Sequence, residues 1–228
     1  MGFKRTMSQV NIETARFNMI EQQIRPWDVL DQSTLDTVAL VRREVFVPQA
    51  YRNLAFMDME IPLTVNGQAT GEAMFAPKME ARLLQELALR PADQVLEVGA
   101  GSGYMAALMA HRAQSVVTYE RLPVLAEFAR ANLAHNQCVN VKVVHGDGFT
   151  AKGTFQAIAL SGAVSSLPSN LLELLAIGGR MAAIVGTAPV MSAVLVTRLG
   201  ETQFDTVKLF ETLVKPLTGG PQAEKFKF

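Results

Sequence analysis

Residues 95–104 read Val-Leu-Glu-Val-Gly-Ala-Gly-Ser-Gly-Tyr, a short apolar run that breaks into three glycines at alternate positions. Glycine moves freely into backbone conformations with positive φ and lets the chain approach a ligand where a Cβ would collide. The pattern predicts a buried strand, a sharp turn and the start of a helix, which is how ligand crevices of parallel sheets begin. The dinucleotide fingerprint needs glycine at position 104, where Tyr104 stands, and no Gly-Lys-Ser/Thr follows. Neither pattern for holding a phosphate chain is therefore met. A glycine turn preceded by Glu97 suits a ligand that lacks phosphates but carries an amine and an adenosine, and S-adenosylmethionine is such a ligand. The plain alternative is a tight strand–helix turn with no ligand.

The rest of the chain fits an α/β fold around that turn. Short apolar runs at Val95–Val98, Val116–Tyr119, Val141–Val144, Phe155–Leu160 and Arg180–Val185 alternate with helical stretches at Gly103–His111, Pro123–His135 and Pro168–Leu175. Near-continuous apolar strands separated by helices predict a parallel sheet covered on both faces. Val190–Thr197 and Phe204–Val214 have no helix between them and predict an antiparallel pair at one edge. The expectation is a doubly wound, mostly parallel sheet. The first ninety residues read helical, with helices over Asn11–Gln23, Asp31–Val45 and Ala76–Leu89. Residues 1–90 are accordingly expected to be an N-terminal helical segment packed on the same domain, and 91–228 to be the S-adenosylmethionine-binding core.

Composition excludes several classes. Lys+Arg and Asp+Glu each number 21, and nothing in that balance suggests a nucleic-acid binder, whose footprint is usually a strongly basic domain or stripe. Hydrophobic residues make up 49% and charged residues 18%, which rules out a disordered chain. The longest charge-free stretches, Gly153–Leu172 and Met181–Thr197, are interrupted by Ser161, Gly162, Pro168 and by Gly186–Pro189. They read as buried strands rather than the roughly 20 apolar residues of a membrane span. Lys4 and Arg5 precede no apolar run, so no signal peptide is expected. Cys138 alone supports neither a disulfide nor a cysteine metal site, and His111, His135 and His145 fall on separate elements. The expected setting is the cytoplasm, with no metal, no membrane and no nucleic acid; assembly with further copies stays open.

Two acids support a ligand at the turn. Glu120 ends the second strand of the sheet, where a carboxylate can accept both hydroxyls of a ribose. Asp147, in His145-Gly146-Asp147-Gly148 after the third, can meet an adenine amino group, although an Asp-Gly pair alone also makes a turn. All three features sit at the carboxyl ends of successive parallel strands, where such sheets bind ligands.

With these residues in view, the chain resembles class I S-adenosylmethionine-dependent methyltransferases, and more narrowly the protein-L-isoaspartate O-methyltransferase family. The similarity runs from about Met19 to Thr218 through Val45–Pro48, Ala55–Asp58, Ile61–Leu63, Ala76–Met79, Val95–Tyr104, Val144–Gly148, Gly178–Arg180 and Lys215–Thr218. It implies a cofactor pocket built from Glu97, Gly99, Gly101, Ser102, Gly103, Glu120, Asp147 and Gly148. It also implies methyl transfer to the side-chain carboxylate of an isoaspartyl residue in a protein or peptide, leading to repair. The family carries a serine two residues before the proline that matches Pro77, and that serine is its usual catalytic assignment. This chain has Phe75 there, which offers no side-chain hydrogen bond. The stretch Thr64–Met74 also runs about five residues longer than in relatives, and Gln156 stands where they commonly carry Asp.

The catalytic residue is therefore left unassigned, and three readings stay open. The longer stretch can supply Thr70 or Gln68 to an isoaspartyl acceptor. The pocket can take a different, more apolar or small acceptor. Or the chain binds cofactor without turnover, as an assembly protein. The eleven methionines are expected to be mostly core fillers, Met57, Met59, Met74 and Met79 can form an adaptable apolar wall near the acceptor side, and Trp27 is expected to be a packing anchor.

Overall fold

The computed structural model describes residues 3–221, with side chains from Asn11 onward. Its contacts divide the chain into one unit through Gln85 and a second from Glu86. In the first, α1 (Phe3–Met19) runs on through a wider turn at Ile20–Ile24 and a tight one at Arg25–Trp27, where Pro26 stops it. Helix α2 (Gln32–Leu40) starts where Asp31 accepts from the Thr34 N–H at 2.8 Å, an N-cap that satisfies a backbone donor the helix cannot. It ends five residues before the predicted Val45, and Arg43–Val45 and Gln49–Leu54 form separate short turns.

The next element departs from the helical reading of the first ninety residues. Strands β1 (Ile61–Val65) and β2 (Gln68–Met74) form an antiparallel hairpin, so the longer stretch before Phe75 is not a loose loop. Its turn is Asn66-Gly67, both with positive φ, +52° and +78°. Asn-Gly is the two-residue hairpin connection whose twist matches the strands, and it is the signal that should have been read. Helix α3 (Pro77–Leu87) follows, with proline in its first turn as expected.

In the second unit the strand–helix alternation holds. Strands β3 (Gln94–Val98), β4 (Ser115–Glu120), β5 (Val141–His145), β6 (Phe155–Val164), β7 (Leu175–Thr187), β8 (Val190–Arg198) and β9 (Phe204–Thr212) form one sheet in the order β5-β4-β3-β6-β7-β8-β9. The first five are parallel, and β8 and β9 add antiparallel. Helices α4 (Tyr104–Ala110), α5 (Pro123–His135) and the short α6 (Ser169–Leu172) connect them. Leu96, Ile158, Leu160, Met181 and Val196 are each at most 1% exposed and centre one core cluster, the burial that an uninterrupted apolar strand requires. The chain lays β3, β4 and β5 outward to one side and then crosses back to place β6 on the other side of β3. The carboxyl ends of β3 and β6 thus flank the switch point at which open α/β sheets form a crevice. Among the described residues, no helix is long and apolar enough to cross a membrane.

Candidate functional site

The glycine turn leaves β3 directly at that switch point. Gly99, Gly101 and Gly103 have φ of +98°, +52° and +84°, conformations other residues rarely adopt. The Gly99 and Ala100 N–H groups both donate to the Tyr119 carbonyl, at 2.9 and 3.1 Å, which ties the turn to the end of β4. Ser102 is buried, with its Oγ 3.3 Å from the Tyr104 N–H and its carbonyl held by Asn132 Nδ2 at 2.9 Å.

Glu120 is brought to the same turn. Its Oε2 accepts from the Gly101 N–H at 2.9 Å and its Oε1 from the Leu122 N–H at 3.0 Å, and the residue is 8% exposed. Each carboxylate oxygen retains capacity for a further donor. Asp147 caps the turn after β5, with Oδ1 accepting from the Phe149 N–H at 3.0 Å and Oδ2 from Arg121 Nη1 at 2.8 Å. Glu97 lies within the sheet, fully buried, its two oxygens accepting from Thr118 Oγ1 at 2.6 Å and Ser161 Oγ at 2.8 Å.

Two glycines have requirements set by protein packing. A Cβ on Gly148 would lie 2.7 Å from Val98 Cγ1, and one on Gly103 would lie 3.1 Å from Leu133 Cγ on α5. The sequence reading missed what covers the crevice. Residues Lys215–Pro221 run across the carboxyl ends of the strands, with Ala163 N–H donating to the Lys215 carbonyl at 3.0 Å and Leu217 N–H to the Ala163 carbonyl at 2.8 Å. A Cβ on Gly162 would meet Leu217 Cγ at 2.7 Å, and one on Gly99 would meet Leu217 Cδ2 at 3.1 Å. The paired glycines at 219 and 220 were the available signal.

In the first unit, Phe75 is buried and its carbonyl accepts from Arg43 Nη2 at 2.6 Å. Arg43 also donates to the Ala55 carbonyl at 3.0 Å and forms an ion pair with Glu80, and both charged residues are buried. Burial pushes the Glu80 carboxyl up to about 7, outweighing the guanidinium beside it. The Thr70 hydroxyl donates to the Leu63 carbonyl at 2.7 Å, which uses it inside the hairpin, and Gln68 is exposed at the start of β2. The four methionines do not form one wall: Met74 and Met79 are core residues, whereas Met57 and Met59 are exposed. The Trp27 ring carries the Lys78 ammonium 4.9 Å from its centroid. His145 Nε2 lies 3.2 Å from the Arg121 carbonyl, and burial pushes the Cys138 thiol up.

The fold has known counterparts. A structure from Plasmodium falciparum, assigned as a protein-L-isoaspartate O-methyltransferase and solved in complex with S-adenosyl-L-homocysteine, superposes with a TM-score of 0.74 at 21% identity, covering 90% of this chain and 97% of that one. At that identity the likeness establishes the fold. Sequence relatives reach further. The protein-L-isoaspartate O-methyltransferase of Herpetosiphon aurantiacus is 37% identical over 189 residues, 82% of each chain. That of Koribacter versatilis is 36% identical over 207 residues, 90% of each. The profile described as protein-L-isoaspartate(D-aspartate) O-methyltransferase matches residues 14–222. On that coverage, and with the glycine turn, Glu120 and Asp147 at one crevice, the chain belongs to the protein-L-isoaspartate(D-aspartate) O-methyltransferase family.

Proposed function

We propose that the unit from Glu86 onward binds S-adenosylmethionine at the carboxyl ends of β3, β4 and β5. We propose further that the chain uses it to methylate the side-chain carboxylate of an isoaspartyl residue in a protein or peptide, in the cytoplasm. The observation that carries the cofactor reading is Glu120, a buried carboxylate held by two backbone N–H groups beside a turn of positive-φ glycines. That donor set fits a ribose diol, because both oxygens keep a lone pair for a hydroxyl. When bound, the cofactor supplies an electrophilic methyl group on a sulfonium.

The chain's own residues supply binding and orientation. Glu120 takes the ribose hydroxyls, Asp147 the adenine amino group, and the Gly99–Gly103 backbone gives close approach. Gly148 fills no space where Val98 and Tyr119 already stand. Glu97 places a buried carboxyl group two residues before the turn, fixed by Thr118 and Ser161, as an acceptor for the ligand's amine. A carboxylate acceptor is already a nucleophile at neutral pH, so the protein's task is alignment rather than proton transfer. Family membership supports the isoaspartyl acceptor.

Radiolabelled methyl transfer to an isoaspartyl peptide, run beside its normal-aspartyl twin, tests the reading. Base-labile label on the isoaspartyl peptide alone is expected. Calorimetric binding of S-adenosylhomocysteine with no label on either peptide would reject the isoaspartyl acceptor and leave a different acceptor or a cofactor-binding protein without turnover. A Phe75→Ser variant that gains label relative to the parent would show that position 75 limits this chemistry.

A further inference from the structure

Resting on the cofactor reading above, we propose that Arg121 is a positioning residue for recognition of the purine 6-amino group, acting through Asp147. Arg121 directly follows Glu120 at the end of β4 and reaches across to the turn after β5, where its Nη1 holds Asp147 Oδ2 at 2.8 Å. The other oxygen, Oδ1, is held at 3.0 Å by the Phe149 N–H. The carboxylate is thus tethered on both oxygens from different sides. Its plane is fixed, and each oxygen has a remaining lone pair to accept from an amino group.

The corner is completed by the C-terminal segment. Gly219 has φ +94°, and a Cβ there would lie 2.5 Å from Arg121 Nη1 and 2.8 Å from Asp147 Oδ2. Only glycine leaves the ion pair where it stands. The segment is itself secured on either side, by the Leu217 N–H on the Ala163 carbonyl at 2.8 Å and by Ser165 Oγ on the Pro221 carbonyl at 2.6 Å. Arg121 and Asp147 keep 45% and 31% side-chain exposure, so the pair contributes little to folding. Its consequence lies in where it aims the carboxylate.

Calorimetric titrations of wild type, Arg121→Met, Asp147→Ala and the double variant with S-adenosylhomocysteine, and with its purine analogue lacking the 6-amino group, test this. Each single variant is expected to weaken S-adenosylhomocysteine binding by about tenfold, the size of one hydrogen bond to a charged group. The double variant should be no weaker than Asp147→Ala. The analogue should bind wild type and Arg121→Met alike, and the melting temperature should barely move. Additive losses, an unchanged affinity for Arg121→Met, or equal weakening of both ligands would overturn the assignment. Wild type that binds neither ligand would overturn the cofactor reading with it.

Discussion

A carboxylate gripped by two backbone N–H groups has lost its rotational freedom before any ligand arrives. Glu120 is in that state, and its grip depends on both oxygens being acceptors. Glu120→Ala removes the ribose partner and is expected to weaken S-adenosylhomocysteine binding by about 1–3 kcal/mol. Glu120→Gln should lose nearly as much, because its amide NH2 must face either the Gly101 or the Leu122 N–H, donor against donor. Calorimetry on both variants checks this, and a Gln variant with parental affinity would contradict it. Residue 75 differs in kind. Phe75 is held through its backbone by Arg43, so a change of its side chain leaves that bond intact.

At the level of elements, Gly186 lies in β7 opposite Met191, one residue pair before the Ala188-Pro189 turn of the β7–β8 hairpin; it has φ +129°, and a Cβ there would run into the Val190 carbonyl oxygen. Gly186→Ala is expected to destabilise the protein by about 1–3 kcal/mol, read as a lower urea midpoint with an unchanged slope; an unmoved midpoint would refute the steric argument. The elements most legible in the sequence were those marked by a short apolar-rich run or by a proline in a helix's first turn, whatever their burial: β3 is buried almost throughout, β4 alternates and β5 stays partly exposed. Strands β3, β4 and β5 and helix α5 were placed within about two residues because apolar runs and Pro123 mark them directly. The β1–β2 hairpin was not, since its burial alternates weakly and its signal lies in two turn residues. In the same way Glu120 and Asp147 were visible from their position after strands. Thr118, Ser161 and Arg121 were not, because a hydroxyl that holds Glu97 and a cation at a strand end carry no distinguishing pattern.

For the whole molecule, the buried Arg43–Glu80 pair makes stability depend on pH. Because the folded Glu80 carboxyl is raised from 4.5 to about 7, the folded state holds a proton that the unfolded chain releases. The stability this group contributes is complete below the unfolded value and is lost as pH rises through about 7. Melting temperatures of wild type and Glu80→Gln, compared from pH 4 to 8 (on the order of the titration window), should diverge in favour of Gln as pH rises. A difference that stays constant would show that Glu80 does not titrate in this range. Arg43 is the costlier loss. Arg43→Ala strips the buried Glu80 carboxyl and the Ala55 and Phe75 carbonyls of their shared donor and is expected to destabilise by about 3–5 kcal/mol.

Among the described residues β5 and β9 are the outer strands of the sheet, each paired on one side. With equal numbers of acidic and basic residues, copies of the chain meet without long-range repulsion, so protection against fibrous growth has to be built in locally. Strand β9 supplies it. Asp205, Lys208 and Glu211 stand exposed along that margin, Lys208 and Glu211 are already paired with one another at 2.7 Å, and the neighbouring register slips between Ala193 and Val194. A strand templating onto β9 would have to strip water from these charges and match an irregular edge, so the antiparallel end of the sheet acts as a colloidal guard for a protein whose overall charge gives it none.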